Sequence, residues 1–225
     1  LTRDGRLLRT WRGEPGTIGG FAEDYAYLIQ GLLDLYEATL EDAWLQWAIN
    51  LQATQDELFW DADAGGGYFS SAAGDPLVPV RMKDDYDGAE PSANSVSAGN
   101  LLRLARMLND GQRETRAREI LAAHGDQMTR IPTAVPQMLV ALDLAQAPPA
   151  QAVVAGDPKS PEVRAGLMQL HRDFHPHLVI LSATSDGLPA KNNPVVAAMK
   201  PLDGKPALYV CENFICQRPR ALRRE

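Results

Sequence analysis

The sequence predicts a mainly α fold of helical hairpins followed by a small α/β segment with a short parallel sheet. Three observations carry that expectation. Apolar residues recur at three- and four-residue steps through the first two thirds of the chain, the spacing of a single buried helix face. Connections as short as Ala38 to Leu40 separate these periodic stretches, which makes successive helices antiparallel neighbours. After Ala147-Pro148-Pro149 the periodicity gives way to short apolar runs alternating with helical ones, the mark of strand–helix–strand units. The expected division is a helical-hairpin region over residues 1–147 and an α/β segment over 148–225.

Taken in order, Phe21, Tyr25, Leu28, Ile29, Leu32 and Tyr36 line one face of a first helix. Trp44, Trp47, Ala48, Leu51 and Leu58 mark a second, whose first turn holds Glu41 and Asp42, the charge that a helix N-terminus favours. Gly65-Gly66-Gly67-Tyr68-Phe69-Ser70 and Val78 to Met82 suggest a small hairpin presenting the loop Asp84 to Pro91. A third helix is expected over Ser92 to Leu108, entered after Pro91 and stopped by Asn109-Asp110-Gly111. Ala117, Ile120, Leu121, His124 and Met128 mark a fourth, and Val135, Met138, Leu139 and Leu142 a fifth. Gln151 to Ala155 is a buried strand, Ser160-Pro161 opens a helix, and Leu178 to Leu181 and Ala207 to Val210 supply two more strands.

The composition narrows the function. At 225 residues the length suggests about one and a half domains, and 45% apolar with 23% charged residues is ordinary for a globular chain. A net charge of -7 argues against nucleic acid as a partner, because phosphate binding needs a basic surface. The basic run from Arg218 to Arg224 reads as a solvated tail. No apolar stretch is long enough to span a membrane. Two cysteines fit a reducing compartment or a single special pair, and with no targeting segment read in the sequence a cytoplasmic setting is expected. The opening Leu1-Thr2-Arg3-Asp4-Gly5 has no initiating Met and reads as a piece of a longer protein.

The sharpest chemical candidate is the loop holding Asp84, Asp85, Asp87 and Glu90. Carboxylates crowded this closely repel, which can lift one of them toward general-acid range. The alternative is a solvated loop whose acids cap the helix near Ser92. Glu23 and Asp24 could oppose that loop, or simply sit where a helix N-terminus favours acids. Asn94 and Asn100 could bond ligand hydroxyls or satisfy backbone groups. Of the tryptophans, Trp44 and Trp47 fit the apolar stripe of their helix and Trp60 is more open. Cys211 and Cys216 are separated by four residues and could be a disulfide, a thiol pair or two buried thiols. With His171, His175 and His177 more than thirty residues away, no zinc set is expected. The acidic loop is no calcium loop either, since a glycine at the sixth position would put Lys83 first and Asn94 last. No P-loop, Gly-x-Ser-x-Gly or dinucleotide fingerprint occurs, and no cofactor is expected.

Four segments together resemble one known family. They are Gly20 to Ala26, Leu58-Phe59-Trp60-Asp61, Lys83 to Ser95, and Tyr209-Val210-Cys211-Glu212-Asn213. The chain is similar to the C-terminal region of the spermatogenesis-associated protein 20 family, whose members join a thioredoxin-like domain to a helical toroid of the six-hairpin glycosidase type. The resemblance implies about half of such an (α/α)6 toroid here, without the thioredoxin-like part or a Cys-x-x-Cys motif. It implies sugar acid/base chemistry in the toroid cavity, with Asp85, Asp87, Glu90, Glu23 and Asp24 as candidate catalytic residues. Tyr25, Trp60, Tyr86 and Asn94 become candidate sugar contacts. The open side of a half ring would expose apolar faces and favour self-association. The alternative is a non-catalytic scaffold that positions the thioredoxin-like domain, with Cys211 and Cys216 as a resolving thiol pair.

Overall fold

The computed structural model describes residues 2–76, 78–213 and 215–222. It is mainly α with a small mixed sheet, as the periodicity predicts. A hairpin of β1 (Thr2–Arg3) and β2 (Arg6–Leu7) leads into α1 (Ala22–Thr39) and α2 (Asp42–Phe59). These are followed by α3 (Ala93–Leu108), α4 (Gly111–Ala123), α5 (Gly125–Arg130) and α6 (Pro136–Gln146), with a single 3-10 turn over Pro132–Ala134. The expected fourth helix breaks at His124. Its ring Nδ1 sits 2.8 Å from the Ile120 carbonyl, and Gly125 restarts the chain as the short α5.

The chain forms two compact units. The first comprises residues 1–32, 47–102 and 112–145, and the second 33–46, 103–111 and 146–225, so the division falls inside α1, α2 and α3.

In the first unit, polar groups set how the helices align. Gln55 Nε2 donates to Ala22 O (3.1 Å) and Ser97 Oγ (2.9 Å), and Asn100 Nδ2 donates to Ala26 O (2.8 Å). Residues 22 and 26 of α1 thus meet 97 and 100 of α3, so α1 and α3 run parallel, with both N-termini at one end. Tyr25, Ile29, Leu101 and Ile120 of this unit are fully buried. Each such side chain contributes about 1.5–3 kcal/mol. The buried face of α2 is Leu45, Ala48, Leu51, Leu58 and Phe59 with Gln52 and Gln55, and Trp47 lies 40% exposed outside it. The apolar stripe expected of Trp44 and Trp47 is therefore rotated by one position, because two glutamines occupy core positions that periodicity assigns to apolar residues.

No β-hairpin forms between the glycine run and residues 78–82 among the described residues. Tyr68 instead bridges back to Trp60, with Asp61 N donating to Gly67 O (3.0 Å) and Phe69 N to Phe59 O (2.9 Å). Gly65, Gly66 and Gly67 all have positive φ, which reverses the chain directly onto the end of α2. One bond remains to the later segment, from Ser70 N to Met82 O (2.7 Å).

In the second unit, β3 (Ala150–Ala155), α7 (Pro161–Leu170) and β4 (Leu178–Ser182) form a strand–helix–strand unit with β3 and β4 parallel. Ser160 caps α7 by accepting from Val163 N. Two short helices, α8 (Leu188–Asn192) and α9 (Pro194–Ala198), precede β5 (Ala207–Glu212), which pairs with β3 antiparallel. The expected all-parallel sheet is thus mixed: β3 and β4 are parallel, and β5 enters from the opposite end. β6 (Ile215–Cys216) and β7 (Arg220–Ala221) both pair with β5. Arg220 of the expected basic tail therefore lies in a strand, while Arg223 and Arg224 fall outside the described residues. No helix of the described residues is long and apolar enough to cross a membrane.

Candidate functional site

The acidic loop does not act as one cluster, because its carboxylates take different partners. Asp84 Oδ2 accepts from Ser70 Oγ (2.7 Å) at the surface. Asp87 is 7% exposed, and both its oxygens are engaged by backbone amides. Oδ1 accepts from Ser92 N (2.8 Å), and Oδ2 from Gln137 N (2.8 Å) and Met138 N (3.3 Å) in the first turn of α6. A carboxylate at a helix N-terminus satisfies orphan N–H groups and meets the positive end of the dipole. Asp87 is therefore the cap of α6 and the clasp of the loop before α3. Asp85 and Glu90 are both exposed, and the Asp85 carbonyl accepts from Gln127 Nε2.

Glu23 and Asp24 stand in the first turn of α1 with Arg9 between them. The Arg9 guanidinium bonds Glu23 Oε1 (2.7 Å) and Asp24 Oδ2 (3.1 Å) and lies 4.6 Å from the Phe21 ring centroid. Asp24 also accepts from Phe21 N (2.8 Å), the returning half of a capping box. α1 meets the end of the acidic loop one turn further on, at Tyr27, whose hydroxyl donates to Pro91 O (2.7 Å). Burial raises the Tyr27 phenol above its ordinary value, and the charges of Glu90, Glu23 and Asp87 raise it further.

The expected ligand contacts separate in the same way. Tyr25 is fully buried against Phe59, with its hydroxyl accepting from Leu7 N (2.9 Å), so it belongs to the core. Asn94 is fully buried and pairs with the Tyr68 backbone in both directions, accepting from its N–H (2.7 Å) and donating to its carbonyl (3.0 Å). Asn100 is committed to Ala26. Trp60 is half-buried, edge-on to Tyr68 and 5.2 Å from the Arg116 guanidinium. Only Tyr86, 62% exposed, presents its ring to solvent.

What the fold builds beside this loop is an open cleft of about 540 Å³. It is lined by Gly66, Lys83, Asp85, Ala123, His124, Asp126, Gln127, Arg130 and Ile131. The glycine turn forms one wall and the α4–α5 break the other. Lys83 is set by Asp61, whose Oδ2 accepts from its Nζ (2.8 Å) while Oδ1 accepts from Asp63 N and Ala64 N (3.1 Å each). The Lys83 ammonium and those amides hold the Asp61 carboxyl down to about 2. Arg130 sits 3.6 Å from Asp126. Of the sequence candidates, only Asp85 lines this cleft. Lys83, His124, Asp126, Gln127 and Arg130 come from segments whose meeting no spacing announces, and the interruption at Gly125 is the one local signal for it.

Cys211 and Cys216 are disulfide-bonded, on residues directly opposed across β5 and β6. Among the described residues no group of three or more His, Cys, Asp or Glu side chains is arranged to hold a metal ion.

No family model matches the chain. A protein of Homo sapiens named spermatogenesis-associated protein 20 is 41% identical over 225 residues, covering 96% of this chain and 29% of the relative. Its namesake in Mus musculus is 42% identical, covering 96% of this chain and 28% of the relative. An uncharacterised protein of Caenorhabditis elegans is 38% identical over 203 residues, covering 90% of this chain and 27% of its own length. The chain thus spans less than a third of the curated relatives it matches. The shared identity runs through both compact units, and the chain belongs to the spermatogenesis-associated protein 20 family, as its C-terminal region.

Proposed function

We propose that this region binds a carbohydrate or similar polyhydroxylated ligand in the cleft between the glycine turn and the α4–α5 break. One observation carries the reading: the cleft joins Asp85 of the acidic loop to a ring of donors and acceptors, Lys83, His124, Asp126, Gln127 and Arg130. Its volume suits a ligand of one to a few sugar rings. A lining that supplies donors from Lys83, Gln127 and Arg130 and acceptors from Asp85 and Asp126 matches hydroxyl groups, which do both. Exposed Tyr86, next along the loop, offers a ring for stacking on a sugar face. In a hydrolytic version Asp85 and Asp126, the two carboxylates of the cleft, take the acid and base roles. The half-toroid expected from the family resemblance supports placing such a site at a loop end of the helical hairpins.

Calorimetric titration of the chain with a panel of neutral mono- and oligosaccharides tests the reading. The expected result is saturable binding of at least one sugar, weakened at least about tenfold in Asp85→Asn through loss of a charged acceptor. Unsaturable heats across the panel with folded protein would remove the proposal. Hydrolysis of a chromogenic glycoside, lost in both Asp85→Asn and Asp126→Asn, would add turnover to binding.

A further inference from the structure

The second unit holds a covalent feature that the cleft does not use. Cys211 and Cys216 are the only cysteines of the chain, and they are joined across the outer edge of the sheet. The two ends of the bond differ in access: Cys211 is 4% exposed on β5, whereas Cys216 is exposed on β6. Just beyond β6, Gln217 N donates to Val210 O (2.9 Å), but among the described residues little else holds β6 down. It is two residues long, opposes only Cys211 and Glu212, and its other residue, Ile215, is 75% exposed. β7 covers the far end of the same edge at Ala207 and Leu208. Residues 215–221 therefore form a short return of chain over the β5 edge, and the disulfide is its covalent anchor.

We propose that the Cys211–Cys216 disulfide is a reversible exchange site for a dithiol partner, entered at Cys216. A thiolate of the partner attacks Cys216 Sγ, and the Cys211 sulfur leaves and takes up a proton. The partner's second thiolate then attacks its own sulfur in the mixed disulfide and releases Cys216, which is protonated in turn. Two electrons and two protons pass from the dithiol to the pair, the partner becomes a disulfide, and the reverse sequence oxidises a dithiol. Access decides the direction of attack, because the buried Cys211 sulfur is open only as a leaving group. Reduction removes the covalent tie and leaves the two opposed pairs and the Gln217 N–Val210 O bond, so it loosens the cover on the edge of β5.

The test uses the oxidised 225-residue chain without denaturant. Free thiols are counted by alkylation and mass spectrometry after incubation with a dithiol protein of the thioredoxin class. The expected result is two alkylated cysteines within minutes. A form of that partner lacking its second cysteine should be trapped as a mixed disulfide that peptide mapping places at Cys216. Reduction only after denaturation, or an adduct mapped to Cys211, overturns the proposal. Variants give a second readout: Cys211→Ser should take up glutathione from its disulfide at least about tenfold faster than Cys216→Ser, and equal rates overturn the ordering. Neither measurement depends on the sugar reading, so the two proposals stand or fall separately.

Discussion

At Asp87 one carboxylate holds segments fifty residues apart in sequence, accepting from Ser92 N on one side and from the start of α6 on the other. Replacing it with alanine strands three buried or half-buried amides, Ser92, Gln137 and Met138. Asp87→Ala should lower stability by about 2–3 kcal/mol in urea unfolding, and Asp87→Asn, which keeps one acceptor oxygen, by less. A loss below about 0.5 kcal/mol for the alanine variant would show that the cap is dispensable. The sequence made Asp87 legible as a polar residue with a task, but both a catalytic and a capping role fitted it, since the groups it holds are set by tertiary folding. Asn94 was ambiguous for the same reason: its partner is the Tyr68 backbone, delivered by a turn that lies 26 residues earlier. Lys83 was invisible as a cleft residue until Asp61 fixed its position.

Whole elements were more legible than single side chains. Periodicity located α1, α2, α4 and α6, because burial of one face is a local, repeating demand, while flanking stop and start signals located α3 and α7 and short apolar runs the three longer strands. It missed the break after His124 and the antiparallel β5, both consequences of where the chain must go next. The glycine turn shows what an element can demand of a single position. A Cβ added at Gly66 would lie 2.7 Å from Glu119 O and 2.8 Å from Ala123 Cβ, at φ +67. Gly65 has a similar φ of +74 but nothing within 4 Å. Gly65→Ala should therefore cost only the backbone term, about 1–2 kcal/mol. Gly66→Ala should cost more, and should also displace α4 from the cleft wall and weaken any cleft ligand. Equal unfolding free energies for the two variants would mean that the turn does not press against α4.

At the scale of the molecule, the ionisable groups of the two units respond to acid in opposite directions. In the second unit burial raises Glu37 above its ordinary 4.5, only partly offset by Arg103, and burial raises Asp42 above 3.8. A carboxyl whose folded value is raised favours the folded state below its unfolded value and loses that contribution as pH rises through the folded one. Lowering the pH from neutrality through the raised folded values toward the ordinary ones should therefore stabilise the second unit. In the first unit Asp61 is held down to about 2 by Lys83 and two backbone amides. Its contribution is present above the ordinary value of 3.8 and disappears as pH falls through 2. The first unit should thus be untouched by Asp61 between pH 7 and 5 and weaken between pH 4 and 2. Hydrogen exchange read at separate amides tests this directly. Protection around Leu181 and Val153 should rise on mild acidification, while protection around Tyr68 should hold until pH 4 and then fall. Glu37→Gln should flatten the first trend and Asp61→Asn the second. If protection in both units moves together at every pH, the molecule unfolds as one cooperative body and the opposing carboxyls are averaged into a single curve.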